Sequence, residues 1–306
     1  MIKSYCLAVV LLFAIACSDD DKSGDTAAPI TTVTPGVTIT NVSDVSTADI
    51  KSWTDAMSAK MASQTSNVLA VSWNVGGQVS EGGFNRPFNT HQVIISDSNV
   101  ELLMGEITNW LDTTCIANES KTEELSNFRN YIENGADASA QLVMCNNYRI
   151  VLMAFPSTMT STDRQGLVIH EVYHAFQHDL ADEDCSAQRD SSINGNWIVE
   201  GATEYFTMIE MYGTSQGVNK VLEKAYAAYN DDSDTAITGS DIASRGAAGI
   251  RYMIEQGSVN ESEILDASFF HNCKSELEYT DANQNVTNAK ANWYKIKSVN
   301  GVYSFI

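Results

Sequence analysis

The stretches "HEVYHAFQHD", residues 170–179, and "WIVEGATEYF", residues 197–206, decide how this chain must fold. Each repeats one residue type at a spacing of four: His170 and His174 in the first, Glu200 and Glu204 in the second. On a helix, positions four apart differ by about 40° around the axis and stack on one face. Two imidazoles so placed reach one zinc ion at ~2.0–2.1 Å, and Glu171 projects beside them. A helix is expected here on separate grounds. Thr162 and Gln165 have capping-box spacing. Ile169, Val172, Phe176 and Leu180 make an apolar stripe on a different side from the two histidines. His178 sits a further turn on and is rotated away from the pair. The pattern HExxHxxGxxH fails at Gln177 and Leu180, which removes the metzincin arrangement.

The second stretch resembles the W-x-x-E-G-x-x-E-Y/F segment of gluzincin metallopeptidases, most closely the group that contains aminopeptidase N. That resemblance implies Glu200 as the third metal ligand and Glu171 as general base. Glu204 would accept a hydrogen bond from a ligand histidine and fix its tautomer. The implied cofactor is one Zn2+ per chain, and the implied substrate a peptide or protein. The resemblance covers residues 162–257 at most, ending in "ASRGAAGIRYMIEQG" at 243–257. Two features depart from it. No GAMEN-like segment lies upstream, and Ala243 stands where the group has a catalytic tyrosine three residues before a glycine, here Gly246. The electrophile that would steady an oxyanion is left among Tyr252, Tyr205 and His271. The alternative is a surface binding or adhesion lipoprotein with a zincin fold and little activity; a metal-carrying lipoprotein is a third. Glu171 favours hydrolysis, because metal affinity does not need it.

The chain opens "MIKSYCLAVVLLFAIACSDDDKSG". Lys3 followed by an apolar run far shorter than the about 20 residues of a spanning helix reads as a signal peptide. "AIAC" resembles the lipobox of bacterial lipoproteins, with Ala14 in place of the usual leucine. It implies cleavage after residue 16, a lipidated Cys17, and attachment through that lipid to the outer membrane, since Ser18 is not the aspartate of inner-membrane retention. An ordinary secretory signal is the competing reading. Residues 17–45 are Ser-, Thr- and Asp-rich and read as a tether. The domain is expected at 46–306.

The whole chain carries a net charge of −21, and loss of Lys3 with the signal makes it one unit more negative. Such a surface repels nucleic acid and anionic lipid head groups. Nucleic-acid binding is therefore not expected. Beyond Cys6 and Cys17 remain Cys115, Cys145, Cys185 and Cys273, an even number that predicts two disulfides in an exported protein. Of three pairings, Cys115–Cys145 and Cys185–Cys273 would staple each half internally.

"VLAVSWNV", "HQVIIS" and "YRIVLMAF" have strand composition, and the last is a possible edge for an extended substrate. Helices are expected over 48–63, 99–115 and 124–135. From 162 onward nearly everything reads as helix: 162–181, 196–212, 216–229, 240–256 and 262–272. The fold class expected is α+β and zincin-like: a mixed α/β N-terminal lobe, a mainly helical C-terminal lobe, and the active site between them. Asn230, Asp232, Asp234 and Asp241 mimic EF-hand spacing, but Thr235 occupies the obligatory glycine position. A solvated acidic loop is expected there, not a Ca2+ site.

Overall fold

Two apolar runs, Val68–Val75 and Arg149–Pro156, form β2 and β4 at the centre of a four-stranded sheet. The computed structural model describes residues 36–61, 67–79, 91–114, 121–136, 138–142, 149–180 and 193–306. The outer strands are β1 (Val37–Asn41) and β3 (Ser139–Leu142), giving the order β1-β2-β4-β3. β1 and β4 flank β2 in parallel, with Ala70 opposite Val151; β3 runs antiparallel to β4.

Both faces of this sheet are covered, so β2 and β4 read as continuous apolar runs and not as alternating ones. Leu69, Val71, Trp73, Ile150 and Leu152 point to one side, into a core closed by α2 (Asp97–Thr114) and α3 (Lys121–Glu133). Val68, Ala70, Val151, Met153 and Phe155 point to the other. There they meet α1 (Thr47–Ser58) and α4 (Ser161–Leu180). This second core continues without a break into α5 (Ile193–Asp232) and α6 (Ile242–Glu255), and on to Trp293 in the C-terminal segment. The fold is mixed α and β, as expected, but residues 35–306 form one compact unit without a division into lobes.

α5 is two helical arms joined at Gly213, whose φ of 74° and ψ of 164° suit glycine alone. The arms fold back on each other so closely that a side chain on Gly217 would meet the Met208 carbonyl at 2.6 Å. α6 crosses the first arm where Gly201 faces Gly246, and a Cβ on Gly246 would stand 2.9 Å from the Gly201 Cα. The glycine beside Glu200 thus admits a supporting helix at backbone contact.

Three expectations change, and one element was not expected at all. β1 lies within the stretch read as tether, so the ordered fold starts before residue 46. β4 is internal, so it offers no edge for a substrate, and the outer position belongs to β3. Residues 91–96 make no strand: Gly76, Gly77 and Gly135 take the backbone bonds of His91 and Gln92, while Val93 and Ile94 are exposed. The C-terminus ends in a hairpin, β5 (Ile296–Val299) and β6 (Val302–Phe305), turned at Asn300–Gly301.

Cys17, Cys115, Cys145 and Cys185 lie outside the described residues, as does the side chain of Cys273; the disulfide and lipidation expectations fall there. Among the described residues no helix is long and apolar enough to cross a membrane.

Candidate metal centre

α4 is capped two residues earlier than expected. Thr160, not Thr162, accepts from the Asp163 amide at 3.2 Å, while Asp163 accepts from the Thr160 amide at 3.3 Å and from its hydroxyl at 2.6 Å. This closes the capping box with an aspartate and leaves Thr162 and Gln165 outside it. From that start, Val168, Ile169, Val172, Tyr173 and Phe176 enter the core. His170, Glu171 and His174 are left on the side that meets the first arm of α5. That arm buries Trp197, Ile198, Ala202, Tyr205 and Phe206, and turns Glu200, Thr203 and Glu204 toward α4.

Three ligand atoms meet there. His170 Nε2 and His174 Nε2 are 3.2 Å apart, His170 Nε2 and Glu200 Oε2 3.3 Å, and His174 Nε2 and Glu200 Oε2 3.4 Å. The rings are edge to face, with centroids 4.9 Å apart. Ligands held tetrahedrally at ~2.0–2.1 Å stand about 3.3–3.4 Å from one another. The triangle matches the spacing of one face of such a tetrahedron. These residues form a potential metal-binding group.

The electrostatics ask for a cation. Burial alone would depress the His170 imidazolium, but hydrogen bonds to Glu200 and Glu204 and the field of Glu171 outweigh it, holding its pKa up at about 10. Burial would likewise raise Glu200, yet the two histidines hold it well below the carboxylate range. Glu204 is pulled down against its burial by His170 and by Lys224. Among the described residues the carboxylates of Glu171, Glu200 and Glu204 thus lie about His170, His174 and Lys224. A dication fits that carboxylate-rich set.

Glu204 stands 3.6 Å from His170 Nδ1 and pairs with Lys224 from the second arm, a contact that needs the break at Gly213. His174 Nδ1 faces Gln177 Oε1 at 2.7 Å. Lys224, Gln177 and Thr203 were not expected at the centre. Gln177 and Thr203 each lie three residues beyond a ligand, a spacing that could have marked them; nothing local marks Lys224.

A cleft of about 520 Å³ opens at His170, Glu171 and Glu204, walled by Met159, Leu167, Met208, Met211 and Tyr212. Glu171 is buried at its rim. None of the three expected electrophiles lines it. Tyr205 gives its hydroxyl to Glu261, Tyr252 packs edge-on against Phe305 at 5.4 Å, and His271 lies in the 3-10 turn Ser268–Cys273. Tyr212, which does line the cleft, lies two helical turns beyond Glu204. The EF-like residues serve Arg245: its guanidinium donates to Asp232 and Asp234. Asp241 instead caps α6.

Comparison of the chain with protein-family models, with curated proteins and with solved structures finds no significant match. The site is therefore read from its own geometry.

Proposed function

We propose that this chain is a zinc-dependent peptidase of gluzincin type with a zincin-like fold. The observation that carries the reading is the 3.2–3.4 Å triangle of His170, His174 and Glu200 beside a buried carboxylate at a cleft. Two imidazoles and one carboxylate in tetrahedral spacing suit zinc better than the oxygen-seeking calcium or magnesium. Zinc, when bound, supplies Lewis acidity that brings the pKa of water toward ~7 and polarises a carbonyl.

The chain supplies the rest. Glu171 takes the proton from the attacking water and hands it to the leaving amine. Burial keeps bulk water from competing for that carboxylate. The methionine-rich wall receives an apolar side chain of an extended peptide, and β3, as the outer strand, is the sheet edge such a peptide can join. The signal peptide and Cys17 support a lipid-anchored place at the outer membrane, facing the periplasm or the cell surface.

The placement of Tyr205, Tyr252 and His271 away from the cleft favours the second reading, a zincin-fold surface binding lipoprotein with little turnover. Glu171→Gln separates the two. The ligands are untouched, so zinc content and thermal midpoint should match wild type, while hydrolysis of a peptide library falls by about 10²–10⁴. If wild type holds zinc but cleaves no faster than the variant, the peptidase reading is lost and the binder stands.

A further inference from the structure

The hydrogen bonds behind His174 converge on a single carbonyl. Gln177 Nε2 donates to Val199 O at 3.0 Å, and the Thr203 hydroxyl donates to the same oxygen at 2.8 Å. The single Thr203 hydroxyl proton is thereby spent, and the Gln177 amide nitrogen is fixed on the Val199 side. Gln177 turns its other amide atom, Oε1, to His174 Nδ1 at 2.7 Å, and the Thr203 oxygen lies 3.3 Å from the same nitrogen. Reversing the Gln177 amide would set its oxygen against Val199 O, two acceptors with no proton between them. The orientation thus follows from chemistry and not from a choice of atom labels.

Both neighbours of His174 Nδ1 are therefore acceptors, and Nδ1 must carry the ring hydrogen. The lone pair is left on Nε2, which points into the triangle with Glu200 and His170. We propose that Gln177, assisted by Thr203, is a positioning residue that locks His174 in the Nδ1–H tautomer and presets it as a ligand. Val199 immediately precedes Glu200, so the same carbonyl ties the α4 ligand to the turn of α5 carrying the third ligand. The lock sets the imidazole and the carboxylate in register before any ion arrives. Removing it lets the proton move to Nε2, where the Glu200 carboxylate at 3.4 Å accepts it.

The consequence for metal affinity rests on the zinc reading; the tautomer itself does not. The experiment is ¹⁵N NMR of the histidine side chains in the metal-free full chain at alkaline pH, paired with zinc titration. Wild type and Thr203→Ser should show His174 protonated at Nδ1 with a bare Nε2. Gln177→Met should shift the proton toward Nε2, and Gln177→Met with Thr203→Val should shift it further. Zinc affinity should fall about 10–100-fold in step. A purely structural role would leave the tautomer where it was. Wild-type His174 with its proton on Nε2, or variants that keep it on Nδ1, would overturn the lock. If the tautomer moves as stated but wild type takes up no zinc, the lock stands and the zinc reading fails. If the double variant does not fold, the Gln177→Met and Thr203→Ser spectra decide alone.

Discussion

Among the described residues two groups of carboxylates contrast: one, at 230–241, encloses an arginine, and the other stands with two histidines at metal-ligand separation. In the loop at 230–241, Asp232 and Asp234 surround Arg245, which is wholly buried. Its guanidinium also donates to the carbonyls of Asp234 and Ala236, and its carbon lies 5.1 Å from the Trp293 ring centre. The chain has supplied its own cation, and the cradle is full. At the metal centre Lys224 reaches Glu204, while Glu171 and Glu200 face the two histidines instead. Acidic spacing in sequence looks alike in the two places. The difference is whether a basic side chain from another element closes the cluster, and whether the donors stand at ligand separation.

Among the substitutions, the one in the loop gives the largest expected change in stability. Arg245→Met keeps some bulk over Trp293 but removes every one of those hydrogen bonds. A hydrogen bond to a charged group contributes ~1.5–3 kcal/mol, and the exposed aspartates recover water on its loss. Urea unfolding should therefore show about 2–3 kcal/mol less stability, with the slope unchanged. Millimolar calcium should not restore the midpoint. Restoration by calcium would mean that the loop is a cation site after all, and that the contrast drawn above is wrong.

That contrast also shows what could be read from sequence. His170 and His174 were legible from their i, i+4 spacing on one helix, and Glu200 through the resemblance of its segment to the gluzincins. Arg245 was not, since nothing near it in sequence points to Asp232. β2 and β4 were legible as apolar runs, but strand order is non-local, so the internal position of β4 was hidden. "HQVIIS" has strand composition, but among the described residues it makes a single bridge, His91 with Gln78, and loop glycines take the backbone bonds of His91 and Gln92. β1 was masked by its Thr-rich surroundings. The capping box was expected at Thr162 with Gln165, but Thr160 closes it with Asp163, whose shorter carboxylate serves in place of the usual Glu or Gln. The C-terminal hairpin carried its signal openly in Asn300–Gly301, the two-residue turn with positive φ at both positions.

The next effect is smaller and belongs to the metal centre. Glu204→Gln preserves shape and can still accept from His170 Nδ1, but it abandons the pair with Lys224. Zinc affinity should fall about 10–100-fold, near 1.4–2.7 kcal/mol, as expected when a ligand histidine loses its charged support. Competition with a chromogenic chelator measures it. Lys224→Met acts one step further out and should weaken zinc less than Glu204→Gln does. The reverse order would mean that Lys224 acts on the ion by some route other than Glu204.

The last effect is a single proton, and its sign separates the two clusters. Asp232 is held low by the Asp234 backbone amide and by Ser240, with Arg245 adding to this. A depressed carboxylate contributes stability above its unfolded value of about 3.9, lost as pH falls through the lower folded value. The loop therefore weakens on the acid side. His170 behaves oppositely. Its folded pKa of about 10 exceeds the ordinary 6.5, so its contribution is complete below pH 6.5 and is lost as pH rises toward 10. A metal ion must displace that proton. Metal-free protein should accordingly lose stability between pH 6.5 and 10, whereas zinc-loaded protein should lack that slope. Zinc affinity should rise about tenfold per pH unit from about 7 to 9, with roughly one proton released per ion. Calorimetry in two buffers of different ionisation heat counts that proton. A count near zero would show that His170 is already neutral before the metal binds, and the excess of carboxylates at the centre would then need another explanation.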